Sequence, residues 1–164
     1  MDSGSTVPLY RHTQVGYTVL VVLVLIAAVV AYRFATGDGG ADRGRVGFAI
    51  ILAVLAGCAL AFASLTIQVN ERSLSWAFGP GLFRQRLELA EISDLRVVQN
   101  QFWYGFGIRR FRGGWLYNVS GGTAVEIGTA RGRRVRLGTD EPDQLIDAIR
   151  SAVRARGHAD VPIR

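Results

Sequence analysis

The chain holds two histidines, His12 and His158, and one cysteine, Cys58, so any acid–base, nucleophilic or metal chemistry has few side chains to draw on. Neither histidine has a Ser, Cys or metal-ligand constellation near it in sequence. Glu88, Glu91 and Asp94 are close together, but they fall at a strand-to-strand turn, where carboxylates are ordinarily solvated. Asp140, Glu141 and Asp143 open a helical pattern, and acidic residues there complement the positive end of a helix. Gly105-Phe106-Gly107 lacks the third glycine and the following helix of a dinucleotide fingerprint. Asn118-Val119-Ser120 matches a glycosylation sequon, a triplet frequent by chance. These residues predict a protein that is not an enzyme and that uses no metal or cofactor.

Binding chemistry has a denser signal. Seven aromatic residues fall between Phe102 and Tyr117: Phe102, Trp103, Tyr104, Phe106, Phe111, Trp115 and Tyr117. Arg109, Arg110 and Arg112 lie among them, with Gly105, Gly107, Gly113 and Gly114. Rings beside guanidinium groups suit a membrane interface, an aromatic-lined protein site or base stacking, and equally a filled core with arginines reaching from its rim. Strand side chains alternate between faces, so one strand pair cannot bury all seven rings, and the glycines favour a loop. The contact set read here is Trp103, Tyr104 and Phe106 with Arg109, Arg110 and Arg112, centred on Trp103, Arg109 and Arg110. Arg131, Arg133, Arg134 and Arg136 form a second basic group. With Val135 and Leu137 pointing one way, Arg134 and Arg136 share the opposite face and are the second contact candidates.

The elements that position these residues begin with two charge-free stretches, His12–Tyr32 and Val46–Asn70. A helix needs about 20 apolar residues to cross a bilayer, and residues 15–34 and 46–67 qualify. The short Gly/Asp/Arg loop between them joins antiparallel neighbours, so a multi-pass membrane hairpin is predicted, with residues 1–14 as a mobile lead. The apolar run from Val15 outlasts a signal-peptide core, which favours a retained helix. Ala49, Ala53, Gly57 and Ala61 form a ridge of small residues at a spacing of four, matched by Ala27, Ala31 and Ala35. Such ridges let helices approach closely, either within the hairpin or between copies in a homo-oligomer. Cys58 lies inside the second span and has no partner for an intrachain disulfide.

From Thr66 onward the pattern changes to period two. Leu74, Trp76 and Phe78 alternate with smaller or polar residues before the Gly79-Pro80-Gly81 turn, and Phe83, Leu87 and Leu89 share one face beyond it. Further strands are predicted near residues 94–100, 105–110, 115–120, 124–129 and 133–137, as half-buried antiparallel strands. A helix over about 141–155 follows, with Pro142 in its first turn and Leu145, Ile146, Ile149, Ala152 and Val153 on one stripe. Residues 66–156 thus make one β-domain closed by a helix, with 157–164 as a mobile tail. This part holds 15 Arg against 10 acidic residues. An excess of this kind suits an anionic membrane surface or a solvated exterior, and it is too modest, beside two spans, for a nucleic-acid partner. The basic domain after an even number of spans places both termini and the β-domain in the cytoplasm.

Several stretches resemble the bacterial pleckstrin-homology-like proteins that attach such a domain to a pair of transmembrane helices. They are Trp103-Tyr104-Gly105-Phe106-Gly107-Ile108-Arg109-Arg110, then Gly114-Trp115-Leu116-Tyr117-Asn118-Val119-Ser120-Gly121, and the closing Val135-Arg136-Leu137-Gly138-Thr139-Asp140-Glu141-Pro142. The resemblance covers residues 15–155. It implies a partly open barrel of about seven antiparallel strands capped by a C-terminal helix and used for protein or lipid contact. The eukaryotic lipid-binding branch relies on a Lys/Arg pattern in the first hairpin. Here that hairpin, Thr66–Phe78, carries Arg72 alone, which argues against phosphoinositide recognition. The expectation is a non-catalytic interaction module at the bilayer surface, touching membrane lipids and a membrane protein or a second copy. The alternative is a sensor of anionic head groups through the Arg-rich hairpins.

Overall fold

The computed structural model describes residues 8–36, 42–100, 107–120, 122–157 and 161–162. Nine strands and three α-helices form among them. Strand β1 (Tyr10–Val15) leads into helix α1 (Tyr17–Thr36), α2 (Asp42–Phe62) returns, and β2 (Ser64–Val69) continues it. Next come β3 (Ser73–Phe78), β4 (Leu82–Glu88), a 3-10 turn at Leu89–Glu91 and β5 (Ile92–Gln99). The chain ends with β6 (Gly107–Phe111), β7 (Gly114–Asn118), β8 (Thr123–Thr129), β9 (Arg134–Gly138) and α3 (Pro142–Arg154).

Both long helices are long and apolar enough to cross a membrane, and their apolar windows are wholly unburied. Their partly buried residues recur at steps of three and four: Leu20, Leu23, Ala27, Val30 and Phe34 on α1, and Phe48, Leu52, Leu55, Ala59 and Phe62 on α2. That 3.5-residue repeat is a knobs-into-holes seam. It ends in Phe34 and Phe48, stacked with centroids 4.6 Å apart. Of the Ala49/Ala53/Gly57/Ala61 ridge, expected to pack within the hairpin or between copies, Ala61 is partly buried. Ala49, Ala53 and Gly57 are exposed, and a Cβ at Gly57 would meet nothing within 4 Å. Larger Leu and Phe side chains bring more contact surface to the seam than alanines do.

Two boundaries differ from the expectation. The apolar run to Ile67 is not all helix: α2 stops at Phe62, and Leu65, Ile67 and Val69 turn alternately into the β-core. Residues 10–14, expected to be mobile, are paired with β2 from Tyr10↔Val69 to Val15↔Ser64. The hairpin is therefore clasped by a β-ladder that grows directly out of both helices. Gly16 sits at this junction, donating its N–H to the Ala63 carbonyl at 2.7 Å. A Cβ there would come within 2.7 Å of the Val119 carbonyl oxygen, so the approach requires glycine.

The strands make a four-stranded sheet ordered β1-β2-β3-β4 and a five-stranded sheet ordered β5-β8-β9-β7-β6. All pairs are antiparallel except β7 with β9. That is two more strands than expected and one parallel pair, and the sheets do not close into a barrel. Alternating residues of both sheets meet in one core, from Leu65, Ile67, Leu74 and Phe78 to Leu95, Val125, Ile127 and Leu137. Helix α3 completes it with Leu145, Ile146, Ile149, Ala152 and Val153. Each such side chain contributes roughly 1.5–3 kcal/mol. The tail after α3, expected to be mobile, is partly anchored: Val161 is buried, and the Pro162 carbonyl accepts from the Leu95 N–H at 3.1 Å.

Candidate functional site: an open cleft between the sheets

Among the described residues, β4 and β6 are the outer strands of their sheets. A cleft of about 510 Å³ enters there, lined on one side by Trp76, Gln85, Arg86 and Leu87 and on the other by residues of the β6–β7 hairpin and β9. That volume is in the range of small-molecule and peptide sites. On β6 and β7, Ile108 faces Tyr117 and Arg110 faces Trp115. The alternation that sends Tyr117 into the core therefore sends Trp115 and Arg110 toward the cleft. Trp115 is 46% exposed although it stands on the core side of its sheet. Arg110 has no ion-pair or hydrogen-bond partner among the described residues.

The back of the cleft is aromatic. Trp76 is 4% exposed and packs edge-on against Tyr117 with centroids 5.2 Å apart. Its indole Nε1 is buried without a hydrogen-bond partner among the described residues. An unmade buried donor costs about 1–3 kcal/mol. Burial pushes the Tyr117 phenol up from its ordinary value, so it stays a neutral O–H. The lining includes Arg86, Arg110, Arg133 and Arg134 and no Asp or Glu.

The second basic group is largely engaged. Glu126, 2% exposed, accepts from Arg134 Nη1 at 2.6 Å and from Arg136 Nε at 2.7 Å. The Arg136 guanidinium also lies 4.3 Å from the centre of the Phe111 ring, a cation–π contact. Arg134 and Arg136, expected as contacts through an exposed face, thus neutralise a buried carboxylate on the neighbouring strand β8. Arg112 is exposed at the β6–β7 turn, and Arg109 faces Leu116, away from the cleft. Trp103, Tyr104 and Phe106 lie outside the described residues.

No protein-family model matches this chain, and no curated protein or solved structure matches it either. The site rests on its own geometry.

Folding also supplies His12 with neighbours that the linear sequence withholds. Its Nε2 lies 2.7 Å from Asp140 Oδ1 and its Nδ1 3.2 Å from Glu141 Oε2. Tyr10 donates to the same Glu141 carboxylate at 3.2 Å. Burial, then the Glu141 charge, pushes the Tyr10 phenol up, so it remains a donor. This cluster ties β1, and through it α1, to the start of α3. No group of three or more His, Cys, Asp or Glu side chains suited to a metal occurs among the described residues. Sequence reasoning passed over Trp76, whose period-two position marked it as core. The available signal was its type: indole N–H groups in cores usually need a partner.

Proposed function

We propose that this protein is a membrane-anchored, non-catalytic interaction module that recruits or organises membrane proteins at the bilayer surface. One observation carries the reading: β1 and β2 are direct continuations of the two apolar helices. With the helices in a bilayer, that ladder holds the β-domain upright beside it and leaves the basic, aromatic cleft open to the side. The pleckstrin-homology-like assignment belongs to the same reading. Two packed sheets and a C-terminal helix support it, while the parallel β7–β9 pair departs from it. The exposed Ala49/Ala53/Gly57 ridge offers a second copy of the chain as a further partner.

A photo-crosslinking residue at Gln85, on the cleft wall, tests the proposal in native membranes. The expected product is a discrete protein adduct that persists at high salt. Adducts with lipid alone would favour the alternative, an anionic head-group sensor, whose binding weakens as salt screens the arginines.

The reading also places both termini and the β-domain in the cytoplasm, from the even number of spans and the basic domain that follows. In a Cys58→Ser background, a cysteine at Asp160→Cys is expected to resist an impermeant thiol reagent in intact cells. Labelling from outside would reverse the orientation.

A further inference from the structure

We infer that the cleft takes an extended, acidic segment of a partner protein, bound as an added strand beside β4 and β6; this rests on the interaction-module reading above. Three observations converge. The cleft is bounded by β4 and β6, the outer strands among the described residues, and a strand edge is a template for a peptide backbone. Its lining holds four arginines and no carboxylate; Arg86, Arg133 and Arg134 are paired with Glu88, Glu91 and Glu126 outside it, which leaves the Arg110 guanidinium as the cation a complementary anionic segment would meet. Trp115 stands exposed beside Arg110, and Trp76, at the back, has an Nε1 donor without a partner among the described residues. A segment that carries both carboxylate and apolar side chains would meet the Arg110 guanidinium and the Trp115 indole, which stand opposite each other on β6 and β7.

Position along the fold favours this occupant over a lipid head group. Phe83, near the start of β4, stacks on Phe62, the last residue of α2, at 5.7 Å. The hollow at this end, lined by Val19, Phe62, Phe83, Gly107, Ile108 and Arg109, adjoins the helices. Arg86 lies three residues farther along β4, about 10 Å at the strand rise. Each head-group layer is roughly 5–8 Å deep. With the helices spanning a bilayer and β4 running away from it, Arg86 would stand beyond the head-group layer, within reach of an extended protein segment.

The full-length chain in phosphatidylcholine nanodiscs, panned against a random displayed heptapeptide library, gives the test. Enriched clones are expected to combine Asp or Glu with aromatic or aliphatic residues. For a synthetic winner, Arg110→Glu should weaken binding tenfold or more and Trp76→Phe at least threefold. Arg156→Glu, exposed after α3 and no part of the cleft lining, should change it less than twofold. Thermal melts of each variant verify folding, and Arg110, being exposed, keeps the test independent of any loss at Trp76. No enrichment, enrichment without acidic residues, or binding indifferent to Arg110 overturns the inference. So does Arg110-dependent tryptophan quenching by phosphatidylglycerol nanodiscs that displaces the peptide. A protein adduct at Gln85 obtained alongside such a failure would leave the broader function standing.

Discussion

Replacing Glu126 by Ala is expected to lower the unfolding free energy by about 3–5 kcal/mol, the cost of breaking a buried ion pair on one side only. Glu126 is the single carboxylate against two guanidinium groups, at 2.6 and 2.7 Å. Arg136 is largely buried, so its charge would remain on the sheet face without compensation. Arg134, nearly half exposed, can turn to water and contributes less. The mechanism makes a second, opposite forecast. Glu126→Met combined with Arg136→Met removes both buried charges and should recover most of the loss, because apolar isosteres replace a buried pair at little cost. Urea unfolding of both variants in detergent, followed by near-UV circular dichroism, separates the outcomes. A loss below about 1 kcal/mol for Glu126→Ala would mean that the site is hydrated and the pair is a surface one.

Phe78→Ala is expected to cost a further large amount, about 3–5 kcal/mol, for a different reason. Phe78 is fully buried and packs against Phe62 at the end of α2 and against Tyr117 across the sandwich, with centroids 5.9 and 6.3 Å apart. Emptying that position removes apolar burial and leaves a cavity where helices and sheets meet. The adjoining turn is pressed against the same helix end: a Cβ on Gly79, at φ +54°, would strike the Leu60 carbonyl, so the walls cannot collapse inward cheaply. Phe78→Leu, which keeps most of the volume, should cost below about 1.5 kcal/mol. Thermal unfolding of the two variants decides it. Equal, small losses would show that the helix ends are not mechanically joined to the β-core at this residue.

Much of the architecture was legible because it depends on local periodicity. Residues 74–78 read as a strand from alternation alone, and Leu145, Ile146, Ile149, Ala152 and Val153 read as one stripe of a helix beginning near Pro142. The two apolar helices were legible from length. Their ends were not: absence of charge is shared by a lipid-facing helix and by a strand buried in a core. The run to Ile67 therefore concealed the change from α2 to β2, and the run from His12 concealed the change from β1 to α1.

The sequence by itself determined the element types, the apolar hairpin, the basic balance and the scarcity of catalytic side chains, since each follows from residue type and short-range spacing. Only the tertiary structure decided which arginines are available. Register across β8 and β9 sets Glu126 opposite Arg136 and engages Arg134 and Arg136, whereas the alternation on β6 leaves Arg110 facing the cleft. Tertiary structure likewise brought His12 to Asp140 across 128 residues of chain, and left β4 and β6, among the described residues, as outer strands near a tryptophan whose N–H has no partner there. Strand order and register are long-range pairings, set by which faces can be buried together, and no local pattern of side chains encodes them.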